Sequence, residues 1–214
     1  VAGNLQLTNT LNANEIDFTS ENQKNINLSN VDVYTSKVDF GDLNTNTINL
    51  QNTAFIFNDA ENHQLIANGD VNFDSISIQR GELSLMTSSI EAQSFHMSAG
   101  TELSVIENGQ LTVSNLILDG VADNRTTLSS QTGKATIISN SESKFCFDFL
   151  DITGIDVSGS AKFVAESNSI VTNSVGWIES ACSDVLFAGF TFRSPCSGSS
   201  TFFEDNSDGQ PANW

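Results

Sequence analysis

Apolar and polar residues alternate along almost the whole chain from Leu5 to Val164, in pairs such as Leu5/Leu7, Ile16/Phe18, Val31/Val33, Phe55/Phe57, Ile76/Ile78, Leu103/Val105 and Leu116/Leu118. A period of two places successive side chains on opposite faces of an extended segment, so the pattern predicts short β-strands. Asn, Ser, Thr, Asp and Gly fill the gaps between them and supply the turns. No 3.6-residue pattern survives for three turns, and almost no helix is expected.

The strands recur in sets. INLSNVDVY from Ile26 returns as INLQNTAFIF from Ile48, a step of 22 residues, and as VNFDSISIQ from Val71, a step of 23. LTVSNLILD from Leu111 and FCFDFLDIT from Phe145 keep the shape at looser spacing. One such unit cannot bury its inward residues, whereas stacked units share a continuous interior of Leu, Ile, Val and Phe. The expectation is an all-β chain whose residues 1–183 form a right-handed parallel β-solenoid (β-helix). A β-sandwich also gives short alternating strands, and antiparallel pairing of Ile26–Leu28 with Val38–Phe40 would be its mark. The recurrent sets, the Asn-rich corners and the presence of only two Pro favour the solenoid. Its coils would bring Asn27, Asn49 and Asn72 into register about 4.8 Å apart, a candidate ladder or binding face.

Charge narrows the partners. Eight Lys and Arg against 26 Asp and Glu leave a net charge of −18 and a pI near 4.1. Phosphate backbones and anionic membrane surfaces require clustered cations, so neither nucleic acid nor an anionic membrane is an expected partner. No apolar run approaches the roughly 20 residues of a membrane helix. The acidity is read as a solvated surface, because neither an EF-hand loop nor a Gly-Asp nonapeptide repeat is present to collect calcium.

Candidate chemistry is sparse. The carboxylate pairs Asp39/Asp42, Asp70/Asp74 and Glu102/Glu107 have no Lys, Arg or His at a spacing that would complete an acid–base site, and Arg80 and Arg125 stand alone in the sequence. His63 sits in the polar stretch DAENHQL and His96 at an outward position of SFHMS, and both read as solvated. No G-x-S-x-G elbow presents a serine nucleophile. The DNSDG of Asp205 to Gly209 reads as a tight turn rather than a calcium loop, and Trp177 as a closing core residue or, if exposed, a sugar-stacking surface. No enzyme, cofactor or metal is expected.

The run from Lys144 to Cys182 carries an F-C-F-D-x-L strand at Phe145 to Leu150, a G-x-A-x-F-x-A strand at Gly159 to Ala165, Asn168-Ser169, and a G-W-I-x-x-x-C closure at Gly176 to Cys182. It resembles the terminal segment of β-solenoid regions in large secreted or cell-surface proteins of the Bacteroidota. Ala188 to Phe192, Cys196 to Gly198, Phe203 to Ser207 and Gly209 to Trp214 then resemble, in order, the opening of an immunoglobulin-like PKD domain. The W-x-F-G-D-G strand of that pattern is absent, so residues 184–214 are expected to be a truncated start of such a β-sandwich. The resemblance implies export by the type 9 secretion system, an extracellular, cell-surface location, and other domains of the same long polypeptide as partners.

Three Cys lack zinc spacing, and a disulfide is the better reading. Cys146 and Cys182 would tie the F-C-F-D strand to the closure, at the end of the solenoid where fraying begins. A buried free Cys146 and a Cys182–Cys196 linkage are the alternatives. For function, the expectation is a non-enzymatic shaft or adhesin module. The alternative is a glycan- or ice-binding solenoid face, and a polysaccharide-degrading β-helix enzyme ranks below it; surface glycans or identical subunits join the partners expected.

Overall fold

Alternation in the strand Val31–Tyr34 turns Val31 and Val33 inward, no more than 1% exposed, and leaves Asp32 at the surface. The same division of labour repeats in strand after strand of the computed structural model, which describes residues 3–6, 9–19, 24–42, 47–68, 71–184, 190–193 and 202–205. Within each face, a strand between the two ends hydrogen-bonds in parallel with its counterpart one repeat earlier and one repeat later, which defines a parallel β-solenoid. Ile26 pairs with Ile48, and Val38 pairs with Ile16 and Leu65, so the antiparallel sandwich pairing does not occur. The short 3-10 turn at Cys182–Asp184 is the single helical element among the described residues.

Three faces wrap the core. The first begins with Gly3–Gln6, Lys24–Asn27 and Thr47–Asn49. The second begins with Asn9–Asn12, Val31–Tyr34 and Ala54–Phe57, and the third with Glu15–Asp17, Lys37–Asp42 and Asn62–Asn68. From Val71–Ile78 through Ser89–Met97 to Gln110–Leu118, single long strands pair on either side of an unpaired corner residue, as at Asp74. The corner then reopens, and Lys144–Phe147, Lys162–Ala165 and Ile178–Glu179 form a separate three-stranded sheet. The third face runs unbroken through eight strands to Ile170–Thr172.

Register converts the sequence repeats into columns. Leu11, Val33, Phe55, Ile76, Phe95 and Leu116 stack on the second face, and Leu83, Leu103, Leu128, Ile152 and Val171 on the third. Each fully buried aliphatic or aromatic side chain contributes roughly 1.5–3 kcal/mol, and neighbouring coils supply the contacts that one coil lacks. Phe18, Phe40, Phe55 and Phe73 extend this as an aromatic cluster, with Phe55 and Phe73 edge to face at 5.2 Å.

Corners are built by short polar side chains. Asn27 Oδ1 accepts the Ser29 amide N–H (3.1 Å), Asn49 Oδ1 that of Gln51 (3.2 Å), and Asp39 Oδ1 that of Gly41 (2.9 Å). A side-chain oxygen two residues upstream thus closes each turn. Asn30 and Asn52 take left-handed backbone, φ +59° and +53°, which Asn tolerates better than other residues bearing a Cβ. Beyond the solenoid, Phe190–Arg193 and Phe202–Asp205 pair antiparallel.

Candidate functional site

The last coil is closed by a disulfide between Cys146 and Cys182, 36 residues apart with Cα atoms 5.7 Å from each other. Alternation explains the availability of Cys146. Phe145 and Phe147 point into the core on the same strand, so residue 146 points outward toward the returning chain. Glu166 Oε1 accepts the Cys182 amide N–H (2.7 Å), and Lys144 Nζ donates to the Cys182 carbonyl (3.4 Å). Trp177 plugs the open end. Its ring packs against Phe163 (5.8 Å) and Phe147 (6.3 Å), and its Nε1–H donates to the Ile155 carbonyl (2.8 Å). Cys196 lies outside the described residues.

The three candidate ladder asparagines have different neighbours. Asn27 and Asn49 are register partners, and each spends its side-chain oxygen on a corner turn. Asn72 pairs with Glu91 and lines one groove with Asn49. A second amide contact, absent from the sequence reading, runs beside them: the Asn52 side-chain amide donates to Asn30 Oδ1 (3.1 Å) across a 22-residue step. Asp74 follows in the next coil, its carboxylate accepting the Asn52 amide N–H. The offset was visible, since INLSN and INLQN place Asn at the same fifth position.

Among the described residues the carboxylates are distributed rather than convergent. Asp39 is committed to its own turn and Asp74 to Asn52, and Glu102 stands between Glu82 and Thr127 on the third face. Asp70 lies outside the described residues, and the same holds for the DNSDG stretch after Asp205.

Both histidines and one arginine depart from the sequence reading. His63 is fully buried: it is an inward rung in register with Leu83, beside the Phe57 ring at 5.1 Å. Its Nε2 lies 3.3 Å from the Asp59 carbonyl, and Nδ1 has no hydrogen-bond partner. Polar neighbours on both sides hid its phase, although it sits two positions before inward Leu65. His96 is outward as expected, yet it has an acid partner one coil on, Asp119 at 2.7 Å. Arg125, isolated in sequence, donates through Nε to Asp151 Oδ1 (2.7 Å) and through Nη2 to the Leu150 carbonyl (2.7 Å).

An unpartnered buried nitrogen costs roughly 1–3 kcal/mol, and leucine is what the same column carries in the next coil. His63→Leu is therefore expected to raise stability by about 1 kcal/mol in chemical denaturation. An unchanged or lowered midpoint would contradict the orphaned-nitrogen account.

Two surface grooves lie over the early corners. One is lined by Asn49, Gln51, Asn72, Asp74, Glu91 and Gln93. The other gathers Asn12, Asn14, Tyr34, Ser36, Asn58 and Asp59 from three successive coils.

No protein-family model, curated protein or solved structure matches this chain.

Proposed function

We propose that this chain is a non-enzymatic structural and adhesive segment of a large cell-surface protein, a rigid solenoid shaft or adhesin module. The observation that carries the reading is the unbroken inward stack of one repeated coil, ended by a disulfide-clipped, Trp-plugged final turn. Every interior coil buries its apolar side against two neighbours, so bending the rod opens contacts along its length. Asn27, Asp39, Asn49 and Asp74 spend side-chain oxygens on holding the corners, which suits a shaft better than a catalytic centre.

The finer attributes belong to the same proposal. The coil is right-handed. Residues 184–214 open an immunoglobulin-like PKD domain, a reading supported by the antiparallel pairing of Phe190–Arg193 with Phe202–Asp205 and by the motif order after Ala188. The chain is exported, as its resemblance to type 9 secretion cargo of the Bacteroidota implies, and the disulfide is favoured outside a reducing cytosol. Its partners are the other domains of the same polypeptide, with surface glycans as the adhesive target.

Single-molecule pulling on the full chain tests the shaft. Coil-by-coil release is expected, each step of about 20 residues freeing roughly 70 Å of extended chain, with the final coil held until the disulfide is reduced. Turnover of a polysaccharide that is lost in Asp74→Asn would instead make the chain an enzyme and overturn the proposal.

A further inference from the structure

Resting on the adhesive part of that proposal, we infer that the groove over the corner between the second and third faces, centred on Tyr34, binds a linear neutral glycan. Tyr34 is the one tyrosine in the chain. It stands half-buried at an outward position, in register between Asn12 and Ile56. An outward aromatic ring offers a flat apolar face to sugar C–H groups and a hydroxyl at its edge. Around it stand Asn12, Asn14 and Asn58, whose side-chain amides each offer both donors and acceptors, the complement of vicinal sugar hydroxyls. The groove is open to solvent along its length, with a volume of about 470 Å³, which suits a chain lying across it rather than a small molecule enclosed in it.

Two features give the groove a fixed polar wall. Asp59 accepts the Ser36 hydroxyl at Oδ2 (2.9 Å) and the Glu61 amide N–H at Oδ1 (3.0 Å), and His63 Nε2 lies 3.4 Å from that second oxygen. Burial pushes the Asp59 carboxyl up, but the Glu61 amide, the Ser36 hydroxyl and His63 outweigh it and hold the group below its ordinary value. It is therefore an oriented acceptor at neutral pH. Ser36 is itself pinned by its amide N–H donating to the Asn14 carbonyl (3.1 Å), so the wall is shared by three coils. Those coils are spaced about 4.8 Å apart, close to the length of one pyranose unit in an extended chain, and a glycan lying along the solenoid axis meets one corner per sugar.

Charge sets the class. Asp59 is the one ionisable carboxylate among the groove-lining residues, and the adjacent Glu15 and Lys37 cancel each other in a 2.6 Å ion pair. With a chain charge of −18, uronate or sulfate chains are repelled. The other groove carries two carboxylates, and its aromatic residue, Phe73, is 2% exposed and offers no stacking face.

The uniqueness of Tyr34 gives a direct test. The full chain, labelled with 13C-tyrosine, is titrated with β-1,4-glucan, β-1,3-glucan, β-1,4-mannan, β-1,4-xylan and chitin hexasaccharides, with polygalacturonate as the anionic control. At least one neutral hexasaccharide is expected to move the single tyrosine signal with a Kd of about 1 mM or tighter. By calorimetry, Tyr34→Ala and Asn58→Ala should each weaken that binding roughly tenfold, a loss of about 1.4 kcal/mol, with the fold retained by circular dichroism, whereas Tyr34→Phe keeps the stacking face and most of the affinity. No response to any neutral chain at about 10 mM, a response to polygalacturonate alone, or unaltered binding by both alanine variants would overturn the assignment. The pulling experiment on the shaft is indifferent to all of these outcomes.

Discussion

Replacing Cys146 and Cys182 by Ser is expected to destabilise the chain by up to about 3.8 kcal/mol, the chain-entropy value for a loop of this length. The loss should be local. A solenoid's stability is a sum of coil and nearest-neighbour contributions, and the terminal coil has a neighbour on one side only. Without the clip, Ile178–Glu179, which pairs through just two residues with Val164 and Ala165, loses its covalent anchor. Trp177 and the Phe145–Phe163 contact then become exchangeable with solvent. Hydrogen exchange should show protection lost over residues 144–182 and kept over 71–118. Uniform loss along the whole rod, or no loss at the end, would contradict the role of the disulfide as an end clip.

The second large effect is expected from Phe55→Ala. Phe55 is fully buried, packs edge-on against Phe40 and Phe73, and is the third rung of the column from Leu11 to Leu116. Removing its ring leaves a cavity that the stacked strands cannot close, because their spacing is fixed by backbone hydrogen bonds above and below. The cost is roughly 3–5 kcal/mol, a large share of the usual 5–15 kcal/mol of a folded domain. Chemical denaturation should show the midpoint falling at unchanged slope. A loss under about 1 kcal/mol would show that this column is not closely packed.

How much of this was legible in the sequence depends on the distance over which each interaction acts. The steps from Ile26 to Ile48 and onward carried the coil length, and alternation carried which side chains face inward, because both are local properties of an extended chain. Asn72 shows the limit. The INLQN and VNFDS copies align for three residues, but Ala54 is in register with Ser75, so the corner shortens by two residues after Phe73. A change of corner length is silent in the apolar pattern. His96 and Arg125 were misread for a related reason: their partners lie 23 and 26 residues away, and pairs at that separation become visible only once the register of successive coils is known. His63 was a failure of residue type over position, since an inward phase outranked its polarity. The groove around Tyr34 has no sequence signature at all, being assembled from the same corner of three coils.

Inter-label distances on one outward column test the parallel, in-register stack most directly. Lys37, Gln64, Ser84, Ser104, Ser129, Thr153 and Thr172 are successive rungs of the third face. With nitroxides on paired cysteine substitutions in a Cys196→Ser background, electron–electron dipolar spectroscopy should give distances that grow by one strand spacing per rung. The expected values are about 19 Å for Gln64→Cys with Thr153→Cys, about 24 Å for Gln64→Cys with Thr172→Cys, and about 29 Å for Lys37→Cys with Thr172→Cys. Distances that fail to rise in that order, with residue 64 nearer to 172 than to 153, would contradict the solenoid.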